Sequence, residues 1–464
     1  MKRSSGVLLP VFSLPSKYGC GTLGTEAKNF IDWLKDANQS YWQMLPINHT
    51  GFGDSPYCCY SSFAGNPIFV DLDLLKADGL ITDEEINSLD WGAELSKIDY
   101  SVLIPNRKKL LSLAYERFVS LGKEINEFNS FKDAESRWLN PYASFMSEKE
   151  GNSEEYYKFV QYEFYKQWGK IKTYANEHGI KLIGDIPVYV PLDSADVNAE
   201  PEFFLLDKDG RPTLVAGVPP DYFNSEGQLW NNPLYNWQRL KEDGYGWWIR
   251  RIDGTLRLFD LVRIDHFRGF DSFWAVPYGE KNAINGSWMQ GPGMDFVGVI
   301  SGWFGGEHFI AEDLGTITDS VRAMLDASGF PGMKVLEFAF TEDMTSSYLP
   351  HNFNENCICY VGTHDNAPAL GWADDDKDGD VKRACEYCGC DRNDINWGLI
   401  RCGMTSKANL FICQMQDLLG LGNEARTNTP GIVGGNWQWR LLPSQLDEEL
   451  ACKLSRITCL SGRK

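Results

Sequence analysis

The chain has 464 residues, with 64 Asp and Glu against 44 Lys and Arg, for a formal charge of −20 at pH 7. Such acidity excludes nucleic acid or an anionic membrane surface as the main partner, because a polyanion would be repelled; no stretch approaches the roughly 18–20 continuous apolar residues of a membrane span. A neutral substrate fits the charge, and the length fits one large α/β barrel with insertions, whose bare form needs about 250 residues.

The opening residues, MKRSSGVLLPVFSLP, have a basic tip and a short apolar run. Pro10 and Pro15 interrupt it and no small-residue cleavage site follows, so no signal peptide is expected and the location reads as cytoplasmic. Twelve scattered cysteines read as reduced thiols; Cys385, Cys388 and Cys390 have one metal-like spacing but no second pair. Behind Thr25 as N-cap, Ala27, Phe30, Ile31, Leu34 and Ala37 follow a helical period. Residues 41–47, YWQMLPI, then read as a buried strand. Residues 75–155 read as a helical insertion, charge-rich from Thr82 to Glu150. A helix from Ser153 to His178, stopped by Gly179, leads into a strand at 181–190. Further apolar runs at 257–265, 308–315, 332–340 and 357–365 complete a repeating β/α pattern. A single unit, 1–464, is expected.

Several strand candidates end in carboxylates: Asp185, Asp265, Glu312 and Asp365. In a β/α barrel, catalytic groups come from the C-terminal ends of different strands, and the intervals between Asp265, Glu312 and Asp365 each exceed the roughly 30 residues of a strand–helix–strand unit. In LVRIDHFRG (261–269), side-chain alternation puts Arg263 and Asp265 on one face. A neighbouring cation favours the ionised carboxylate, which suits a nucleophile; a structural ion pair at a strand end is the alternative. Two carboxylates flanking one bond are the minimum for glycoside chemistry, one ionised to attack and one protonated to donate. Glu312 follows Phe309, Ile310 and Ala311, surroundings that favour the protonated form. Asp313 points the other way and reads as a cap or structural partner. Asp365 would bind sugar hydroxyls. His266 and His364 each abut an aspartate, and adjacent strand residues face opposite sides, so at least one reads as a supporting or core histidine. No close-spaced histidine ligand pair such as H-E-x-x-H occurs, and no metal or cofactor is expected.

Motifs along nearly the whole chain resemble the 4-α-glucanotransferases called amylomaltases or disproportionating enzymes, relatives of the α-amylases. They are SGVLLPVFSLPSKYGCGTLG, YWQMLPINHTGFGDSPYCCYSSFAGNP, GDIPVYVPLDSADVNAEPEFF, VAGVPPDYFNSEGQLWNNPLYNW, LVRIDHFRGF, IAEDLGTIT, GMKVLEFAF, VGTHDN and NTPGIVGGNWQWRL, in that order. The resemblance implies a (β/α)8 TIM barrel with inserted, mainly helical subdomains and no C-terminal β-domain. It implies Asp265 as nucleophile, Glu312 as general acid/base and Asp365 as transition-state stabiliser, with Arg263, His364, Asp185 and Tyr57 around the attacked sugar. The insertion at 190–245 would carry the active-site loop, 217–233, with Asp221, Tyr222, Phe223 and Trp230 on the acceptor side. The implied partners are α-1,4-glucans, with glucose or another glucan as acceptor. An α-glucan hydrolase or a non-catalytic glucan-binding barrel are the alternatives. Asn48-His49, Cys58, Asn231, Thr427 and Ile432 depart from the family pattern; they bear on loop geometry and acceptor preference, not on the three acids.

Overall fold

The computed structural model describes residues 2–220, 224–377 and 379–464. Its strands, in chain order, are β1 (Ser4–Leu8), β2 (Tyr41–Gln43), β3 (Lys181–Ile186), β4 (Leu214–Val218), β5 (Gln228–Pro233), β6 (Leu261–Ile264), β7 (Ser272–Pro277), β8 (Ser287–Gln290), β9 (Phe309–Ala311), β10 (Gly332–Val335), β11 (Cys357–Tyr360) and β12 (Leu410–Gln414). Eight of them form one parallel sheet in the order β10-β11-β12-β1-β2-β3-β6-β9. The two ends of that sheet meet: Ala311 N donates to Pro331 O at 3.0 Å, and Met333 N donates to Asp313 Oδ1 at 2.6 Å. The result is a nearly closed barrel with helices outside, filled by alternate residues such as Leu8, Tyr41, Ile183, Leu261, Ile310 and Ile412. No helix among the described residues is long and apolar enough to cross a membrane.

The strands are shorter than the apolar runs that announce them. The run at 181–190 leaves the sheet after Ile186 because Pro187 has no N–H to give to the ladder. The run at 332–340 turns into a 3₁₀ helix at Leu336–Phe338. Two barrel strands, β1 and β12, were not expected from the pattern. In β1, Gly6 is where the neighbouring strand crowds in: a Cβ there would meet Tyr41 O at 2.5 Å. The helix expected behind Thr25 begins at Thr25 itself, with Gly24 as N-cap and no side-chain cap; a side chain at Gly24 would collide with the Asp71 carboxyl. The helix at Glu154–Glu177 is capped by Ser153, whose Oγ accepts from Tyr156 N at 3.2 Å, and Gly179 follows at φ +78.

Between residues 75 and 155 the chain forms helices Asp83–Asn87, Tyr100–Leu121, Ile125–Ala134 and Ser136–Glu150. The last of these supplies Tyr142, whose hydroxyl lies 2.7 Å from Nδ1 of the half-buried His49. The segment 190–245 carries β4 and β5, which join β7 and β8 in an antiparallel sheet of order β5-β4-β7-β8. This small sheet stands over the C-terminal end of the barrel beside β6. Inside its edge strand β5, where the register against β4 shifts, Asn231 takes φ +62; asparagine tolerates the left-handed region better than most side chains, so the strand keeps its path without a glycine.

Asp313 is thus a seam residue. Asp313→Ala strands the buried Met333 N–H and is expected to cost about 1–3 kcal/mol in urea unfolding. Asp313→Asn, which keeps an acceptor oxygen, is expected to recover most of it; equal losses in both variants would refute the seam role.

Candidate active site

The nucleophile candidate stands just past β6. Asp265 N still donates to Ile186 O at 3.0 Å, and Glu312 N donates to Ile264 O at 3.0 Å, so both acids continue the ladder of the barrel rim. Arg263, one turn of the pleat below Asp265, is buried and divides its guanidinium between two carboxylates. Its Nη1 lies 2.9 Å from Asp265 Oδ1 and 2.8 and 2.9 Å from the two oxygens of Asp185. The Asp185 side chain is 0% exposed, whereas Asp265 is 27% and Asp365 41% exposed. Asp185 therefore anchors the arginine while the other two remain reachable.

Tyr57 extends this cluster. Its hydroxyl donates to Asp185 Oδ2 at 2.7 Å and lies 2.9 Å from His364 Nε2. With the phenol proton committed to Asp185, the phenol oxygen accepts from His364 Nε2–H. The two rings stack at 5.3 Å and 15°, and Trp437, itself at φ +64, lies about equally near both. Burial lowers the pKa of His364 and keeps it neutral. Asp365 follows β11 in the THDN turn: Oδ1 lies 3.3 Å from His364 Nε2 and accepts from Asn428 Nδ2 at 2.6 Å, while its main-chain oxygen accepts from Arg426 Nη2 at 2.6 Å.

Glu312 sits at the end of β9 in a different environment. Its Oε2 accepts from His266 N at 2.8 Å and its Oε1 from Leu314 N at 2.6 Å. His266 itself adopts φ +51, turning the chain sharply after that N–H, a conformation that costs a non-glycine residue roughly 1–2 kcal/mol. Burial pushes the Glu312 carboxyl up to about 7; the Asp265 charge adds to the rise, while Arg263 and the two backbone donors oppose it. His266 is pushed down to about 3 by burial and the Arg268 charge, so its ring is neutral. Trp230 packs edge-on against that ring at 4.9 Å.

The structure thus gathers Asp265, Glu312, Asp365, Arg263, Asp185, Tyr57, His364 and Trp230 at one end of the barrel. Asp221, Tyr222 and Phe223 lie outside the described residues. Asp313 turns away to the β9–β10 seam, as alternation predicts. The sequence reading missed Arg426 and Asn428, which hold Asp365, and the main-chain donors of His266 and Leu314. Asn428 and Trp437 lie within the NTPGIVGGNWQWRL motif, the one signal that marks them. Among the described residues no group of three His, Cys, Asp or Glu is arranged to hold a metal ion.

Carboxylates gathered on a β/α-barrel rim define in outline a candidate glycoside-processing site. Comparison with known proteins is specific. The family model described as 4-alpha-glucanotransferase matches residues 9–155 and 147–445. The 4-alpha-glucanotransferase of Clostridium butyricum is 42% identical, over 98% of this chain and 99% of that protein. That of Synechocystis sp. is 43% identical, over 100% and 98%. Amylomaltase from Streptococcus agalactiae, solved in complex with acarbose, superposes with a TM-score of 0.96 at 37% identity, each chain covered over its whole length. The chain belongs to the 4-alpha-glucanotransferase family and is a transglycosylating enzyme.

The raised pKa of Glu312 has a consequence for stability. Between about 4.5 and 7 the folded state holds a proton that the unfolded state has released, so stability falls as pH rises through that window and stays reduced above it. Glu312→Gln is therefore expected to gain on the parent by about 1–3 kcal/mol between pH 4.5 and pH 8 in urea unfolding. Any constant penalty from turning an amide N–H toward a backbone donor cancels in that difference. A gap independent of pH would contradict the buried, protonated state.

Proposed function

We propose that this enzyme moves α-1,4-glucan segments from a maltodextrin to the 4-hydroxyl of glucose or another glucan by retaining double displacement. The observation that carries the reading is the unequal setting of two acids on adjacent barrel strands: Asp265 is solvent-accessible and paired with Arg263, whereas Glu312 is buried and raised to about 7. The first suits attack as a carboxylate on the anomeric carbon. The second suits donation of a proton to the departing chain's oxygen, after which the Glu312 carboxylate takes the proton from the acceptor hydroxyl. The two would lie about 5–5.5 Å apart in the reacting pose. Asp365, fixed by Asn428 and Arg426, would bind the sugar hydroxyls as the ring flattens. Tyr57, His364, Asp185 and Arg263 would form the wall against which that ring sits.

Transfer and hydrolysis share the glycosyl-enzyme, and the outcome depends on whether sugar or water reaches it. Trp230, packed on His266 one residue from Asp265, is the described group best placed to favour a sugar acceptor over water. The family membership favours transfer over plain hydrolysis and over a silent glucan-binding barrel. The reading places the reaction in the cytoplasm, where twelve cysteines remain thiols.

Incubation with maltotriose and a chelator is expected to give glucose and a ladder of longer maltodextrins at constant reducing-end count. Rising reducing ends without longer products would make hydrolysis the reaction. Asp265→Asn is expected to lose transfer by about 10⁴-fold or more, in line with removal of a covalent nucleophile, and unchanged turnover would remove the assignment. Since Glu312 must hold its proton to donate, kcat/KM is expected to fall as pH rises past about 7.

A further inference from the structure

Arg268 lies in the 3₁₀ turn Phe267–Phe270, two residues beyond His266. Its side chain is buried, yet it forms no ion pair with a carboxylate among the described residues. Instead Nη1 donates to the main-chain oxygen of Thr316, in the turn after Glu312, and Nη2 donates to Ser272 Oγ at 3.2 Å. The indole of Trp288 on β8 covers the guanidinium, with Cζ 4.1 Å from the ring centroid. The same two turns meet again at Asp271 Oδ2, which accepts from Ser272 Oγ and from Ser320 Oγ, each at 3.0 Å. Between them sits the Glu312 carboxyl, held by His266 N from one turn and Leu314 N from the other.

We propose that Arg268, braced by Trp288, is a positioning residue that locks the turn after the nucleophile strand to the turn after the acid/base strand, and so fixes the Glu312 carboxyl between its two backbone donors. Neither residue needs to touch substrate. A carboxylic acid that must give a proton to one oxygen and later take one from another has to be held within a fraction of an ångström. The segments bearing its donors are cross-linked here by side chains, Arg268 to the Thr316 main chain nearest Glu312 and Ser320 to Asp271 farther along. Trp288 contributes a flat, water-excluding cover that strengthens a cationic donor.

Among the described residues, the charged or titratable groups whose fields act on Glu312 are Arg263, Asp265, Arg268 and Tyr348. Only Arg268 is altered by the substitutions below. Loss of Arg268 removes a positive charge near Glu312 and frees Leu314 N–H to leave it. Both changes disfavour the carboxylate, so the group holds its proton to higher pH.

The proposal rests on Glu312 being the acid/base of the transfer reaction, and the experiment separates the two. Maltotriose disproportionation is followed from pH 5 to 9 for the parent and for Arg268→Met, Arg268→Lys, Trp288→Ala and Glu312→Gln. Arg268→Met is expected to lose about 10- to 100-fold in kcat with KM within about twofold. Its alkaline limb is expected to move up by about half a pH unit or more. Arg268→Lys, which restores the charge and one donor, should recover part of both effects, and Trp288→Ala should move the limb in the same direction by less. Should Arg268→Met fail to fold, the lysine and Trp288 variants, judged by near-UV circular dichroism, carry the test. Loss of kcat with the limb unmoved in every folded variant would reduce Arg268 to a structural residue and overturn the proposal. Retention of the limb in Glu312→Gln would overturn the acid/base assignment beneath it.

Discussion

Arg263 is a cation taken almost wholly out of water, and the active-site end of the barrel is organised around keeping it paired. An unpaired buried charge costs several kcal/mol, so the fold brings it two carboxylates: Asp185 from the strand beside it and Asp265 from its own strand. Asp185, being fully buried and held by both Arg263 and Tyr57, has no remaining freedom. Asp265 is left facing the solvent side with one oxygen on the guanidinium. That asymmetry turns a structural ion pair and a reactive carboxylate into parts of a single cluster.

The same economy of contacts extends outward from Asp185. Its hydrogen bond from Tyr57 orients the phenol, the phenol orients His364, and the THDN turn carries Asp365 on the next residue. Each link fixes a hydrogen-bonding role for the next, because a donor committed to one partner must present its oxygen to the other. Glu312 stands apart from this chain of side chains. It is held by main-chain N–H groups and lies buried, which favours its protonated form, whereas Asp265 keeps one oxygen on the Arg263 guanidinium. On this account the division of labour between them follows from where each hydrogen-bond partner comes from.

Most of the barrel was legible in the sequence because its strands are buried on both faces and read as short apolar runs between helical periods. Residues 261–264 and 357–360 are strands where the runs are, and the alternation that put Arg263 with Asp265 and sent Asp313 elsewhere holds at each position. Strand β1 escaped notice because Ser4, Ser5 and Gly6 break its apolar pattern, Gly6 for a packing reason that exists only once Tyr41 lies beside it. The antiparallel sheet at 214–290 was equally hidden, its pairing being long-range and its residues mixed in polarity. The acids were legible as types at strand ends. What could not be read was their support, since the His266 and Leu314 N–H groups carry no sequence signature and Arg426 and Arg268 act through main-chain oxygens. A side chain that bonds to backbone has no partner residue type to betray it.

The central claim is that Asp265 carries the glycosyl group between donor and acceptor. The direct measurement is to treat Glu312→Gln with an activated 5-fluoro-α-glucosyl fluoride, whose leaving group needs no acid, and to map the labelled peptide by mass spectrometry. A single hexosyl adduct on Asp265 is the predicted result. An adduct on another carboxylate, or none while fluoride is released, would contradict the account.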